Sequence, residues 1–147
     1  MHNDNYTGRI AGFFEAYAAR FAGALKGIDD VEDTAAAFAD CFIGANPHGV
    51  MCGKNDDAFR RQIPRGNELY RSLGTSEMSV AGVDSSRLDD NHYMAKVFWH
   101  SVYRKAGREV VIDFSVIYLL QDINDKLSIF AYITGDEQAV LKEHGLL

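Results

Sequence analysis

The sequence predicts an α+β domain in which N-terminal helices cover one face of an antiparallel sheet. Three runs in the second half of the chain, at 91–104, 109–121 and 127–134, are rich in β-branched and aromatic residues and contain no proline, which is typical of strands. The preceding region carries apolar residues at three- and four-residue spacing, which is typical of amphipathic helices. Helices followed by a run of strands indicate the α+β class. The 147 residues fit one domain, so 1–147 is predicted to fold as a unit.

Three helices are predicted before the strands. The first spans about 7–26, and Gly27 ends it. The second begins at Asp30, a good N-cap, and an irregular loop follows it at 43–55. The buried stripes are Ile10, Phe13, Phe14, Tyr17, Phe21 and Leu25 in the first helix, and Ala35, Phe38, Ala39 and Phe42 in the second.

The third helix is predicted to begin at Asn55, to kink or divide near Pro64, and to end at Gly74. A strand at 77–87 follows it. The chain closes with the segment 136–147, in which Asp136 is predicted to cap a short terminal helix and Gly145 to end it. The residues of this last helix that are predicted to face inward are Ala139, Val140 and Leu141.

A two-residue turn at Ala106-Gly107 would fix how the first two of the three strand runs pair. Residues that oppose each other in such a hairpin share one face of the sheet. The pairs on one face are then Tyr103 with Val110, Ser101 with Ile112, Trp99 with Phe114, Val97 with Val116, and Ala95 with Tyr118. Simple alternation along the last strand adds Leu127, Ile129, Ala131 and Ile133 to the same face.

The opposite face mixes polar residues with many apolar ones, among them Phe98, Val111 and Tyr132. His100 lies there directly across from Asp113. A solvated sheet face would carry polar residues more uniformly. This face is therefore predicted to contact a second subunit, which gives a homodimer through the sheet face.

Composition limits the partners and cofactors. The net charge of −6, without any basic run, argues against a nucleic-acid partner. The two cysteines, Cys41 and Cys52, lack metal-ligand spacing, so no metal site and no cofactor are expected. Free thiols favour a cytoplasmic location. No apolar run approaches the roughly 20 residues of a membrane span, so no membrane partner is expected.

The order of elements resembles the nuclear transport factor 2-like superfamily, which contains ketosteroid isomerases, scytalone dehydratase and polyketide cyclases. The segments that carry the resemblance are FFEAYAARF (13–21), AAAFADCF (35–42), VIYLLQD (116–122) and KLSIFAYIT (126–134). The resemblance covers nearly the whole chain and implies a cystatin-like cone, with three N-terminal helices on a strongly curved antiparallel sheet. It also implies a mostly apolar cavity at the open end of the cone, which is a default ligand site.

If the helices cover the Trp99 face, aromatic side chains line this cavity and suit a flat or cyclic apolar ligand. The ligand-binding candidates are Phe13, Phe14, Tyr17, Phe38, Trp99, Ser101, Phe114 and Tyr118. The alternative is that these rings fill the cone as an ordinary core.

Two functions from different classes follow. The first is a homodimeric domain that binds a small apolar or aromatic molecule and performs no chemistry. The second is a cofactor-independent lyase or isomerase acting on an apolar carbonyl compound, with Tyr17 as hydrogen-bond donor and His100 and Asp113 as the base pair. The ketosteroid isomerase mechanism does not transfer, because the position just before Pro47, where the resemblance implies a carboxylate base, is Asn46.

Three alternatives stay open at this point. The His100–Asp113 pair also fits a cross-strand polar contact at a dimer interface. His48, in the 43–55 loop, is either a solvated histidine or a functional one. A role in nuclear trafficking is implied by the superfamily name alone.

Overall fold

A computed structural model describes residues 5–147 of the chain. The helices and strands in chain order are α1 (Tyr6–Leu25), α2 (Val31–Ala36), β1 (Phe38–Asn46), β2 (Gly49–Lys54), α3 (Asp57–Ser72), β3 (Thr75–Arg87), β4 (His92–Lys105), β5 (Arg108–Ile123), β6 (Lys126–Ile133) and α4 (Glu137–Glu143). The strands form one sheet in the order β2-β1-β6-β5-β4-β3. All neighbours are antiparallel except β1 and β6. The predicted α+β class is confirmed.

The predicted arrangement of three helices before the sheet is only partly right. α2 ends at Ala36, and the segment predicted to continue it forms β1 instead. The 43–55 segment, predicted as a loop, is largely the β1–β2 hairpin. Two hydrogen bonds fix the transition, since Nδ2 of Asn55 donates to the carbonyls of Ala35 at 2.7 Å and Phe38 at 3.1 Å. Pairing with β6, far away in sequence, outweighs the local preference of this alanine-rich segment for a helix.

α3 runs without interruption from Asp57 to Ser72, so Pro64 does not divide it. The helix is capped by Asp56, one residue after the predicted cap, and the Asp56 side chain accepts a hydrogen bond from the Phe59 amide at 3.0 Å. Gly74 follows the helix with a φ of +83°, as expected for a glycine that ends a helix.

The predicted β4–β5 register is confirmed at every pair, from Tyr103 with Val110 to Ala95 with Tyr118. Ala106 and Gly107 both have positive φ, at 53° and 75°, which is the backbone of a type I′ hairpin turn. The same geometry recurs at Asn124 and Asp125, between β5 and β6.

The predicted faces of β6 are wrong beyond Ile129, and a β-bulge is the reason. Leu120 pairs with Ile129 but Leu119 pairs with Ala131, so Phe130 is an extra residue without a partner on β5. Tyr132 therefore pairs with Tyr118 and shares its face, although alternation predicted the opposite face. Ala131 and Ile133 correspondingly leave the Trp99 face.

Helix α1 packs on the Trp99 face of the sheet, which we call the inner face, and the other side is the outer face. Ile10 and Phe14 are fully buried there. Each such side chain contributes roughly 1.5–3 kcal/mol through burial. The fully buried sheet residues that form this core with α1 are Ala95, Val97, Leu120 and Ile129.

A second, smaller core lies where α4 covers the turn end of the β4–β5 hairpin. Its buried residues are Leu73, Tyr103, Val110, Ile112, Leu141 and Leu146. α4 is capped by Asp136, which accepts from the Ala139 amide at 3.0 Å. Leu141 and Val140 pack inward as predicted, whereas Ala139, also predicted to face inward, is exposed.

Candidate functional site

A chamber of about 280 Å³ lies between α1, α3 and the inner face of the sheet, and we call it the inner chamber. Its walls are mostly aromatic. The lining residues are Tyr17, Phe21, Phe38, Tyr70, Met78, Trp99, Phe114, Val116, Tyr118, Tyr132, Thr134 and Glu137. The aromatic residues of the cone thus surround a space rather than fill it.

A cleft of about 210 Å³ adjoins the inner chamber and opens between α1, α2 and α3; we call it the outer chamber. Tyr17, Phe21, Phe38 and Tyr70 line both spaces. The residues that line only the outer chamber are Arg20, Ala24, Asp30, Thr34, Phe59, Gln62, Ile63, Gly66 and Asn67. These four aromatic side chains lie between the two chambers, and we call them the aromatic neck.

Three of the four tyrosines that line the inner chamber, Tyr17, Tyr118 and Tyr132, lie on different elements from one another. Burial raises the pKa of Tyr17 to about 12, and the nearby Tyr132 adds to the rise. Burial also raises the pKa of Tyr118 and of Tyr132 above the ordinary value. All three hydroxyls are therefore protonated at neutral pH and can donate hydrogen bonds.

The indole N–H of Trp99 is a fourth donor at the inner chamber. Trp99 is only 4% exposed, and its Nε1 atom is buried without a hydrogen-bond partner among the described residues. The indole lies near enough to the Tyr118 hydroxyl to lower the pKa of that group, which opposes the rise caused by burial. A buried donor left unpaired costs roughly 1–3 kcal/mol, so an acceptor placed here would be bound favourably.

The carboxylate of Glu137, at the start of α4, lies at the rim of the inner chamber. The hydroxyl of Tyr70 on α3 donates to it, at 2.7 Å from Oε1 and 2.8 Å from Oε2. Burial, followed by the Glu137 charge, raises the pKa of Tyr70 well above its ordinary value.

The structure brings together five of the eight predicted ligand-binding residues. Tyr17, Phe38, Trp99, Phe114 and Tyr118 all line the inner chamber.

The remaining three lie outside the walls of both chambers. Phe14 is completely buried and packs on the Tyr118 ring at a centroid distance of 4.6 Å, with Phe13 beside it. Ser101 is fully buried, and its hydroxyl donates to the carbonyl of Ile112 at 2.6 Å. These three residues support the walls from behind.

Sequence reasoning missed several lining residues. Phe21 belongs to the predicted stripe of the first helix, and Tyr70 keeps helical spacing with Ile63 and Leu73 in the third, so both spacings carried a signal for inward orientation. Nothing in the sequence indicated that Tyr132 faces inward, because no residue type in β6 predicts the bulge that turns it to that face. Glu137 directly follows the Asp136 cap, so from the sequence it is interpreted as an acidic residue that stabilises the first turn of α4.

His100 and Asp113 lie on the outer face, away from both chambers. Nδ1 of His100 is 2.7 Å from Oδ1 of Asp113, as the predicted register requires. Nε2 of His100 lies 3.2 Å from Oε2 of Glu77, so two carboxylates flank the ring. A single chain therefore does not place this pair beside Tyr17.

His48 lies at the turn of the β1–β2 hairpin, and its side chain is largely exposed. Its Nε2 is 2.7 Å from Oδ2 of Asp136, the cap of α4. The contact connects the hairpin to α4 outside both chambers.

Neither a metal centre nor a membrane span is found within residues 5–147. No three histidine, cysteine, aspartate or glutamate side chains in this range converge as ligands for a metal ion. None of the helices described here has the length and apolar character needed to cross a membrane.

Comparison with known families gives one match that covers most of the chain. The model of the family described as NTF2-like protein (DUF6841) matches residues 7–137. Among curated proteins, none matches the chain.

Solved structures share the fold at low sequence identity. Aln2 from a Streptomyces species has a TM-score of 0.68 and 16% identity, over 97% of this chain and 99% of that one. A protein of unknown function with a cystatin-like fold from Nostoc punctiforme has a TM-score of 0.62 and 17% identity, over 92% and 95%. A structure from Catenulispora acidiphila in complex with S-DNPA has a TM-score of 0.61 and 14% identity, over 92% and 98%. These likenesses show a cystatin-like NTF2 fold.

Proposed function

The chain belongs to the family of NTF2-like proteins (DUF6841), and from this premise we propose that it binds a small apolar or aromatic molecule in the inner chamber. The observation that carries the proposal is a chamber of about 280 Å³ which the surrounding aromatic side chains leave unfilled. A space lined by apolar rings with a few convergent donors is the usual form of a small-molecule site. The donors here belong to Tyr17, Trp99, Tyr118 and Tyr132.

The size and chemistry of the chamber restrict the ligand. Its volume is near the lower end of the about 300–1,000 Å³ typical of ligand pockets, which favours a molecule of one or two rings. The protonated hydroxyls and the indole N–H favour acceptor oxygens on that molecule. The relative from Catenulispora acidiphila, which was solved in complex with S-DNPA, lends support because it has the same fold.

The test is calorimetric titration with a panel of small aromatic and carbonyl compounds. Val116→Phe would place a ring into the inner chamber and is expected to abolish binding. Val111→Phe makes the same substitution on the same strand, but on the outer face where Val111 is exposed, and is expected to preserve binding. Thermal unfolding establishes that both variants fold. Equal binding by Val116→Phe and the parent protein would refute the proposed location.

The proposal includes a homodimer formed through the outer face. Apolar side chains there form a band across four neighbouring strands. Its members include Ile43, Phe98, Ile117, Leu119, Ala131 and Ile133. Ile43, Phe98 and Ile133 are each more than two-fifths exposed in the single chain, which favours a covering partner.

The dimer is tested by sedimentation equilibrium. Ile133→Lys puts a charge into the apolar band and is expected to shift the protein towards the monomer. Leu69→Lys, at a similarly exposed position on α3, is the matched control and should keep the parent mass. A monomeric parent protein would contradict the dimer and leave the ligand proposal standing.

A second candidate function is a cofactor-independent lyase or isomerase acting on an apolar carbonyl compound. The raised pKa of Tyr17 favours it, because a protonated hydroxyl in the chamber can donate to a carbonyl oxygen. His100 and Asp113 would supply the base only for a ligand bound at the outer face. At the inner chamber the carboxylate of Glu137 would have to take that role.

This activity is tested by NMR in deuterated buffer, where proton abstraction beside a carbonyl exchanges that proton for deuterium. Catalysed exchange that is lost in both Tyr17→Phe and Glu137→Gln would support an enzyme that works at the inner chamber. Loss in His100→Gln, with both chamber variants unaffected, would place the chemistry on the outer face. Binding without exchange in the parent protein would favour the binding function.

A further inference from the structure

Arg20 places a cation at the outer chamber. Its Nε atom is buried, and within residues 5–147 it has no hydrogen-bond partner and no acidic side chain at salt-bridge distance. Asp30 lines the same chamber, but its carboxylate accepts from the Asp33 amide as the cap of α2. A buried guanidinium nitrogen without a partner is costly, so the site is chemically incomplete.

The guanidinium group of Arg20 is chemically suited to recognise a carboxylate. Arginine binds carboxylates through two parallel N–H groups, and Nε with its neighbouring terminal nitrogen forms one such pair. The guanidinium carbon lies 5.6 Å from the centre of the Tyr17 ring, which holds it at the neck between the two chambers.

Trp99 supplies the second incomplete group, on the other side of the same ring. Its ring centre is 6.2 Å from that of Tyr17, and its buried Nε1–H lacks a partner among the described residues. Arg20 and Trp99 therefore present one charged and one neutral donor to a space between them that Phe21, Phe38 and Tyr70 border with apolar rings.

We propose that the ligand is an aromatic carboxylate that also carries an acceptor oxygen at its far end. The carboxylate pairs with Arg20 in the outer chamber, the ring lies in the aromatic neck, and the far oxygen accepts from Trp99 in the inner chamber. The inference rests on the proposed function and goes beyond it, since it assigns both the charge and the polarity of the ligand.

The experiment compares three bicyclic probes by calorimetric titration at neutral pH. They are 6-hydroxy-2-naphthoate, its uncharged carboxamide, and 2-naphthoate, which lacks the far oxygen. The parent protein is expected to bind the hydroxynaphthoate at least about tenfold more tightly than the carboxamide, the ratio expected for one charge-assisted hydrogen bond. Loss of the far oxygen is expected to cost about threefold to tenfold, the ratio for one neutral hydrogen bond.

Two variants test whether Arg20 is the residue that recognises the negative charge of the ligand. Arg20→Gln should remove the preference for the acid while leaving carboxamide binding within about threefold. Arg61→Gln makes the same change in net charge at an exposed position on α3 outside both chambers, and should keep the preference. Circular dichroism and thermal unfolding of both variants verify that they are folded.

The outcomes separate this inference from the proposed function. Equal affinity for acid and carboxamide, or an acid preference that persists in Arg20→Gln, overturns the aromatic carboxylate and leaves a pocket that binds neutral rings. Failure of all three probes to bind contradicts the proposed function itself for ligands of this size. An acid preference abolished by Arg20→Gln and retained by Arg61→Gln establishes the carboxylate site.

Discussion

The hydroxyl of Tyr70 and the carboxylate of Glu137 join α3 to α4 across the rim of the inner chamber, at 2.7 Å and 2.8 Å to the two carboxylate oxygens. The two residues are 67 positions apart in the chain, so the contact also connects the N-terminal helical layer to the C-terminal helix. Because α4 is only a short helix, such a contact has a large share in holding it against the sheet.

Tyr70→Phe is expected to lower the free energy of unfolding by about 1 kcal/mol, since it deletes a hydrogen bond to a charged but solvent-exposed partner. Urea denaturation gives the stability, and hydrogen exchange of the α4 amides shows whether the loss is local. Glu137→Gln, which keeps an acceptor oxygen, should cost less. Unchanged exchange in Tyr70→Phe would show that the bond does not hold α4.

Gly44→Ala is expected to destabilise the protein by about 1–3 kcal/mol, the usual cost of overpacking. A β-carbon at this position would lie 2.7 Å from the Tyr132 ring, which packs over Gly44 on the neighbouring parallel strand. In a Tyr132→Ala background the same substitution should cost much less. Gly12→Ala in α1, with open space around it, is the control and should stabilise by up to about 1 kcal/mol. Equal costs in both backgrounds, measured by urea denaturation, would rule out the steric explanation.

Ser101→Ala is expected to lower stability by about 1 kcal/mol through loss of the buried hydrogen bond to the Ile112 carbonyl. Ligand affinity should stay unchanged, because Ser101 does not line either chamber. Ser86→Ala, at an exposed position of β3, should change stability by less than about 0.5 kcal/mol. A weaker ligand affinity in Ser101→Ala, with normal stability, would return Ser101 to the binding site.

Alkaline pH is expected to destabilise the protein in a way that depends on Tyr17. The pKa of Tyr17 is raised by burial to about 12, whereas an unfolded tyrosine ionises near 10. The unfolded chain therefore loses this proton first. The contribution of Tyr17 is fully present below about pH 10 and declines as the pH rises towards about 12.

Urea denaturation midpoints between about pH 8 and about pH 11 measure this effect. Tyr17→Phe should show a shallower alkaline decline than the parent protein, since it removes one of several buried tyrosines with a raised pKa. The difference at about pH 8, where the hydroxyl is protonated in both states, gives the effect of packing alone. Parallel curves for the two proteins would contradict the linkage.

The sequence predicts the β4–β5 hairpin well because local geometry determines it. A two-residue turn at Ala106-Gly107 allows one register, and this register fixed the inward orientation of Trp99 and Tyr118. It also fixed the contact of His100 with Asp113 on the other face. The predictions that failed depended on contacts distant in sequence.

β1 is the clearest case of a distant contact. Its alanines and phenylalanines fit a helix as well as a strand, and pairing with β6, about ninety residues later, decides between them. Tyr132 depends in the same way on pairing between β5 and β6, which places the bulge. The cation of Arg20 is the most difficult to predict, since an arginine within an amphipathic helix is ordinarily solvated.

Phe130 shapes the inner chamber without being part of its wall. Removing this residue would restore a regular ladder in which Ile129 still opposes Leu120 and Tyr132 still opposes Tyr118. The inward-facing side chains would then be the same, but β6 would lose the extra bend and twist that a bulge provides. A deletion here would thus alter the volume and curvature of the chamber while preserving its chemistry. A chain that differs by one residue in this strand would present the same functional groups to a chamber of different size.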